Sequence, residues 1–198
     1  MSVSNLVLKV CLTVLAVFMG LLACPRNIAA QGIKLNGGYT HVTGDFGLDG
    51  FDVGTALWFS PRIAIAANYD DVYDTSRIGT FEFTSVGAIA SKSHLQDFLV
   101  GPRFYFAPQK ISKYKISPFA EIQLGVTHLS SRIQEGTTPT ISNSDSAFSW
   151  MAGAGADYRL NPHWNARLNL DLLRTHLNSE GQSRLRLGLG VAYTFGSR

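Results

Sequence analysis

Apolar residues alternate one by one with small or polar residues over the last segment of the chain, and this period of two is the strongest constraint on the fold. From residue 184 to residue 194 the even positions carry Arg, Gly, Ala and Thr. The odd positions carry Leu185, Leu187, Leu189, Val191, Tyr193 and Phe195. Successive side chains of a β-strand point to opposite faces, whereas a helix repeats every 3.6 residues. The segment is therefore predicted to be a strand with one apolar and one polar face.

The same period recurs along the chain after Gln31, and no segment there keeps an apolar face at the helical period over several turns. In one further example, Leu168, Leu170 and Leu172 alternate with Arg167, Asn169 and Asp171. We therefore predict an all-β chain of eight strands. They span residues 33–43, 51–59, 62–69, 94–106, 115–130, 147–160, 164–175 and 183–195.

Short and long connections alternate between these strands. The short ones lie at 60–61, at 161–163 and in a basic segment that contains Lys110, Lys113 and Lys115. The longer ones are residues 44–50, 70–93, 131–146 and 176–182. Short periplasmic turns, long extracellular loops and an even strand count are typical of barrels in bacterial outer membranes. We predict an antiparallel up-and-down transmembrane β-barrel with both termini in the periplasm.

The polar faces of the strands carry ten charged residues, six basic and four acidic. They are Lys34, Asp52, Arg103, Glu121, Asp157, Arg159, Arg167, Asp171, Arg184 and Arg186. In a soluble β-sandwich or lipocalin-like barrel these residues would face water, and the apolar faces would form the core. We favour the membrane barrel, whose eight strands enclose a lumen just wide enough for side chains to fill. The mixed signs predict a plug of paired charges, and a selective channel is not expected.

The first thirty residues have the pattern of a cleaved signal peptide. An uncharged apolar core at 10–23 lies between Lys9 and Arg26, and the small residues Ala29 and Ala30 follow. The core is shorter than the roughly 20 residues of a spanning helix. We predict a signal peptide at 1–30 and a barrel domain at 31–198. As an alternative, residues 21–24 resemble a lipobox, which would leave an acylated Cys24.

Removal of the signal changes both the thiol content and the charge. Both cysteines, Cys11 and Cys24, lie within it, so disulfides are not expected. Loss of Lys9 and Arg26 from the 17 basic residues leaves 15, against 14 acidic ones. This balance gives no reason to expect a nucleic-acid partner.

Two groups of residues resemble those of known outer-membrane proteins. Gly190, Tyr193 and Phe195 resemble the assembly signal that the barrel assembly machinery reads. Residues 101–106 (GPRFYF), with 117–119 (SPF) and 125–128 (GVTH), resemble the outer membrane protein β-barrel domain family, the OmpA-like eight-stranded class. The resemblance implies a fold and a location in contact with outer-membrane lipid and lipopolysaccharide. It implies no particular activity.

Common catalytic motifs are missing from the sequence: it has no phosphate-binding glycine loop, GxSxG, HExxH or CxxC. We expect neither a cofactor nor a metal. Four histidines, His41, His94, His128 and His176, lie near the predicted outer rim, where an amphipathic ring suits an interface. His94 with His128 on adjacent strands is the one pair worth testing for metal binding.

One pair of residues allows an enzymatic alternative. His128 and Ser130 lie on the same outward face of a strand, and Glu135 or Asp145 could orient the imidazole. The spacing is similar to the His-x-Ser of outer-membrane lipid A deacylases. That family has Asn-Ala-Gly after its serine, whereas this chain has Ser-Arg-Ile at 131–133. A structural or surface-interaction role is therefore the main prediction, with an acyl hydrolase and a narrow porin-like conduit as alternatives. The extracellular ligand is not predicted.

Overall fold

The structure of the chain is a computed structural model. It describes residues 32–44, 47–74, 89–107, 115–135, 141–176 and 181–195, with the backbone alone at 89–92, 132–135 and 141–143. The predicted signal peptide and Cys24 lie outside these residues. No helix among the described residues is long and apolar enough to cross a membrane.

Eight antiparallel strands, each paired with the next, form a closed barrel in which β8 returns to pair with β1. The strands are β1 (Ile33–Val42), β2 (Leu48–Trp58), β3 (Ile63–Asp74), β4 (Ile89–Tyr105), β5 (Ile116–Glu135), β6 (Ile141–Arg159), β7 (Trp164–Thr175) and β8 (Gln182–Phe195). The predicted fold class is confirmed. We call the end of the barrel that carries Ile33 and Phe195 the terminal end, and the opposite end the loop end.

Two tight turns at the terminal end are built alike. Ser60 accepts hydrogen bonds through its hydroxyl oxygen from the backbone N–H groups of Arg62 (3.3 Å) and Ile63 (3.0 Å). Asn161 accepts through Oδ1 from the N–H groups of His163 (2.9 Å) and Trp164 (2.8 Å). A proline follows each of these residues and restricts φ at the next position of the turn. Local sequence therefore defines both connections.

The pairing register determines the geometry of the barrel. A row of directly opposed residues can be followed from strand to strand around the barrel, and all its members face outward. The row is Ser144, Ser130, His94, Tyr73, Asp49, His41, Leu187, Leu170 and Ala154. It returns to β6 ten residues from its start, so the shear number is ten. Eight strands with this shear tilt by about 40° and enclose a barrel with a backbone radius of about 8 Å.

The apolar face points outward and the polar face inward. On β8, Leu189 is 60% exposed, whereas Arg186 is 2% exposed and faces the lumen. The outward apolar residues run from Leu185 to Phe195, which at this tilt covers about 25 Å of height. That is the height of the lipid-facing band of a transmembrane barrel. The soluble alternative, with its apolar face inside, is wrong.

Two predicted loops are shorter in the structure than the sequence analysis expected. Residues 70–74 and 89–93 of the loop 70–93 extend β3 and β4, and residues 131–135 and 141–146 of the loop 131–146 extend β5 and β6. Among the described outward positions of these extensions, Asp71, Ser144 and Ser146 are polar, as expected for strands that continue beyond the lipid-facing band. The pattern that marked the strands ends, while the backbone pairing continues.

Close approach of β4 and β5 requires glycine at position 125. A Cβ on Gly125 would overlap the backbone oxygen of Phe98 and lie 2.9 Å from the Cα of Leu99. A Cβ on Gly37 would meet only the backbone oxygen of Asp52, at an ordinary 3.6 Å.

We expect Gly125→Ala to destabilise the barrel by about 1 to 3 kcal/mol, because two strands have to separate to admit the methyl group. Gly37→Ala is the matched control, with an expected change within about 0.5 kcal/mol. Urea unfolding of the reconstituted barrels, followed by tryptophan fluorescence, measures both. Equal stability of the two variants would contradict this account of the β4–β5 contact.

Candidate functional site

The lumen is lined by the residues that the sequence analysis assigned to it. Seven of the ten are buried, and Asp52, Arg159 and Arg184 are partly exposed. The buried seven are Lys34, Arg103, Glu121, Asp157, Arg167, Asp171 and Arg186. The side chains form two ionic networks, one near the terminal end and one towards the loop end.

Asp157 is the centre of the network near the terminal end. Its Oδ2 accepts from Nζ of Lys34 at 2.8 Å and from the hydroxyl of Tyr105 at 3.3 Å. Arg167 donates from Nε to Oδ1 (2.8 Å) and from a terminal nitrogen to Oδ2 (3.0 Å). One carboxylate therefore receives two cations in a site without water access, where charge-assisted hydrogen bonds are strong.

A second pair lies beside it. Arg103 donates from Nε to Oε2 of Glu121 at 2.9 Å, and Gln123 donates to the same oxygen at 2.6 Å. The guanidinium groups of Arg103 and Arg167 lie 4.7 Å and 5.2 Å from the ring centre of Phe119. The aromatic ring therefore contacts both cations within the lumen.

The network towards the loop end is centred on Arg186. Its guanidinium donates to Asp171 from Nε (3.0 Å) and a terminal nitrogen (2.8 Å), and its other terminal nitrogen contacts Asp70 across the lumen. Asp97 accepts a hydrogen bond from Thr127, whose hydroxyl also contacts that of Ser149 at 2.5 Å.

Sequence reasoning missed three acidic residues of the lumen. Asp70, Asp74 and Asp97 are buried, and they alternate with the outward residues of β3 and β4. The first two were placed in an extracellular loop because the predicted third strand ended at Tyr69. The alternation of β3 continues through Asp74, and this signal could have found Asp70 and Asp74.

Apolar side chains fill much of the lumen that the charges leave. Towards the loop end they are Val42, Leu48, Val72, Leu95, Leu99, Met151 and Leu173. Near the terminal end they are Ala56, Ala64, Ala66, Tyr105 and Phe119, with Trp58 packed against them. Both halves of the barrel therefore contain buried side chains that oppose the passage of water and ions.

The outward histidines make contacts that differ from those that the enzymatic alternative requires. Nδ1 of His128 lies 2.8 Å from the hydroxyl oxygen of Ser146 on β6. Ser130 is directly opposite His94 on β4, and His94 contacts Asp71 at 2.5 Å. The side chain of Glu135 lies outside those that the structure describes. The described contacts therefore do not assemble His128, Ser130 and Glu135 into a catalytic triad.

His94 and His128, the pair considered for metal binding, are not joined by a third metal-ligating side chain among the described residues. His94 is opposite Ser130, and His128 is opposite Gln96, so the two imidazoles are diagonal neighbours. Among the described residues, no group of three or more His, Cys, Asp or Glu side chains could hold a metal ion. His176 is exposed and lies 6.5 Å from the ring of Phe148.

Comparison with known proteins identifies this architecture. The family model described as outer membrane protein beta-barrel domain matches residues 11–195. The chain belongs to this family. It is an outer-membrane protein of bacteria, and the predicted family resemblance is confirmed. No curated protein matches the chain.

Solved structures show the same fold at low sequence identity. Ail, the attachment invasion locus protein of Yersinia pestis, solved with the heparin analogue sucrose octasulfate, has a TM-score of 0.56 and 15% identity, covering 83% of this chain and 97% of Ail. OprG from Pseudomonas aeruginosa has a TM-score of 0.55 and 10% identity, covering 83% of this chain and 95% of OprG. A major outer membrane protein from Thermus thermophilus has a TM-score of 0.52 and 12% identity, covering 82% of this chain and 99% of that protein.

The predicted assembly-signal residues lie at the closing seam of the barrel. Gly190 is paired with Gly38 of β1, and its missing side chain allows the two backbones to approach closely. Tyr193 packs edge-on against Phe195, with ring centres 4.7 Å apart, and against Trp164 at 5.0 Å. Recognition of these residues by the assembly machinery stays a prediction.

Removal of the charge at the centre of the first network tests its importance. We expect Asp157→Asn to destabilise the barrel by about 3 to 5 kcal/mol, because Lys34 and Arg167 stay buried without their carboxylate. Asp49→Asn removes an exposed carboxylate of the outer face and should cost at most about 1 kcal/mol. Urea unfolding in vesicles measures the difference. A loss no larger for Asp157→Asn than for Asp49→Asn would contradict the structural role of this network.

The filled lumen predicts a barrel that conducts poorly. Pure protein in planar bilayers should show no long-lived single-channel currents at moderate voltage, because buried ionic and apolar side chains occupy both halves of the lumen. The same protein, unfolded by boiling and added to the bilayer in the same way, is the control for leakage. Stable currents of uniform size from folded protein would support the porin-like alternative.

Proposed function

We propose that this barrel is a non-conducting scaffold that presents a protruding β-sheet to partners at the cell surface. In this proposal the loop end faces the exterior of the cell and both termini face the periplasm. The observation that supports it most directly is the length of three adjacent strands.

β4, β5 and β6 are 17, 20 and 19 residues long, whereas a tilted strand needs about 9 to 11 residues to cross a bilayer. Among the described side chains, the last large apolar one on the outward face of β6 is Phe148, and the strand continues to Ile141. At the tilt of this barrel, the extension rises about 17 Å beyond the apolar band. The three strands thus form a sheet that stands above the lipid.

This sheet has an open edge in the described structure. β7 pairs with β6 only as far as Ser149, opposite Thr175. Residues 141–147 of β6 pair with β5 on one side, and no described strand pairs with them on the other. A sheet edge with free N–H and C=O groups can accept an extended segment of another protein as an additional strand. The chemistry of the edge therefore favours a partner that supplies an extended peptide.

Lipid contacts complete the proposed set of partners. The outward apolar band packs against acyl chains, and lipopolysaccharide forms the surroundings of the loop end in this orientation. Gly190, Tyr193 and Phe195 would be read by the assembly machinery before insertion. Nothing in the described site calls for nucleic acid.

The two alternative functions have weaker support. An acyl hydrolase would need His128 to activate Ser130, but the imidazole is bonded to Ser146. A conduit would need free space along the lumen, where Arg103, Arg167 and Phe119 lie in contact. We therefore propose binding rather than catalysis or transport.

Shortening the protruding hairpin tests the proposal. Ser130 and Ser144 are directly paired, so replacing residues 131–143 with Asn-Gly closes the hairpin with a two-residue turn. Wild-type barrel in nanodiscs should enrich peptides from a display library, and the shortened barrel should enrich them far less, because the open edge is cut from seven residues to the four at 144–147. Replacement of residues 108–113 at the terminal end is the control and should keep the enrichment.

Retained gel mobility of the folded form shows that the shortened barrel is intact. Equal enrichment of the same peptides on the wild-type and shortened barrels would contradict strand addition at this edge. Enrichment that is lost in the control variant as well would contradict it equally.

A further inference from the structure

The two ends of the barrel differ in the charge of their connections. At the terminal end the connections are residues 59–62, 106–115 and 160–163, and their charged residues are Arg62, Lys110, Lys113 and Lys115. At the loop end the connections are residues 43–47, 75–88, 136–140 and 176–181, and their charged residues are Asp45, Arg77, Glu82 and Glu180. The connections of the terminal end are therefore basic without exception, whereas acidic residues predominate in those of the loop end.

Three basic residues of the terminal end lie along one side of the barrel, from β3 to β6. The backbone oxygen of Arg62, just before β3, accepts a hydrogen bond from the N–H of Tyr105 on β4 at 2.7 Å. The backbone oxygen of Lys115, just before β5, accepts from the N–H of Arg159 on β6 at 2.8 Å. We call Arg62, Lys115 and Arg159 the basic rim. Neighbouring strands lie about 4.8 Å apart, so the basic rim extends over about 14 Å.

The charges of Arg62 and Lys115 are not neutralised by a described carboxylate. Both side chains are exposed, and neither forms an ion pair with another described residue. Asp157, the acidic residue closest to Arg159 along β6, is buried and bonded to Arg167 inside the barrel. The terminal end therefore presents positive charge to its surroundings.

The basic rim lies at the edge of the lipid-facing band. Its three residues are chain neighbours of Ile63, Ile116 and Tyr158, which face outward and are 45%, 52% and 43% exposed. Consecutive Cα atoms are about 3.8 Å apart, so the backbone of each basic residue lies within that distance of a lipid-facing residue. The charges therefore begin where the apolar band ends.

Outward aromatic rings mark the same level of the barrel. Phe104 packs edge-on against Phe106, with ring centres 5.3 Å apart, and Trp164 packs edge-on against Tyr193 at 5.0 Å. Such rings collect at the boundary between hydrocarbon and lipid head groups. Lys and Arg at this depth lay their aliphatic stems along the apolar surface and extend their charge to the head groups. The basic rim is thus placed to meet lipid phosphate.

The spacing of the basic rim favours a layer of lipids over one small anion. A guanidinium can bind phosphate through two parallel N–H donors, and an ammonium binds it as a point charge. The three side chains start from separate positions along about 14 Å of the barrel wall and do not surround a single point. Lipid head groups line the whole of this wall, and Lys and Arg near a membrane surface attract anionic lipids.

We propose that the basic rim binds the head groups of anionic phospholipids in the leaflet at the terminal end. In the orientation given under the proposed function, this is the periplasmic leaflet. The rim lies at the opposite end of the barrel from the protruding sheet. Loss of one surface would leave the other intact.

Tryptophan quenching by brominated lipids tests the proposal. Trp164 is 43% exposed on the outward face and follows Arg159 through a tight turn, so its fluorescence reports on lipids beside the basic rim. Trp150 also faces outward, and Trp150→Phe is therefore introduced into every sample. Trp58 lies inside the barrel, stacked on Tyr105. The probes are dibrominated phosphatidylglycerol, which is anionic, and dibrominated phosphatidylcholine, each mixed into phosphatidylcholine vesicles.

We expect phosphatidylglycerol to associate with the wall beside Trp164 about fivefold more strongly than phosphatidylcholine, because one basic residue near the head groups favours an anionic lipid by roughly this factor. Lys115→Gln combined with Arg159→Gln should bring the two lipids close to equality. A salt concentration of about 0.5 M should do the same with the intact rim, because it screens the attraction.

Arg174→Gln is the matched control. Arg174 is exposed on the outward face of β7, the strand that begins at Trp164, and it lies near the other end of that strand, at the loop end. Its replacement removes a positive charge from the barrel but not from the basic rim, so Trp164 should keep its preference for phosphatidylglycerol. A loss as large as that of the double variant would show a general effect of net charge and would overturn the proposal.

Two other results would also overturn it. Equal quenching by the two lipids with the intact rim would show that these residues are only a solvated surface. A preference that persists in about 0.5 M salt would show that the lipid is not recognised through its charge. Both measurements use the intact rim, so the proposal stays testable if the double variant does not fold. Neither measurement involves the protruding edge, so a failure here is distinguishable from a failure of peptide binding in the shortened-hairpin experiment.

Discussion

Closure of the backbone hydrogen-bond ladder between β8 and β1 is the constraint on which the rest of this structure depends. Hydrocarbon offers no partner to an N–H or C=O group, so a strand in the bilayer has to be paired on both sides. The shear of ten that closes the ladder fixes the tilt and radius of the barrel. These in turn decide which side chains meet in the lumen and which lie at the level of the head groups.

Within this closed wall, some of the polar contacts connect strands that the ladder does not pair. Asp157 of β6 contacts Lys34 of β1 and Tyr105 of β4, and Arg186 of β8 reaches Asp70 of β3. Buried ion pairs add little net stability, because desolvation offsets much of their attraction. Their contribution is greater in specificity: a register slip of one residue in a strand would turn the charges of that strand towards lipid.

The exterior of the barrel carries different kinds of surface at different heights. The apolar band is suited to acyl chains. Higher still, β4, β5 and β6 continue as a sheet, one edge of which no described strand pairs. A rigid wall can support these surfaces without moving, so the proposed binding at the loop end would require no change in the barrel.

The sequence by itself determined the strand count, the two-faced character of each strand, the closed membrane barrel and most of the charged lumen, because a period of two is visible wherever one face meets lipid. It did not show where β3 to β6 end, since that contrast disappears beyond the bilayer while backbone pairing persists. Only the tertiary structure brought Asp71 to His94 and His128 to Ser146. Such partners depend on register and shear between separate strands, and residue spacing within one strand carries no information about either.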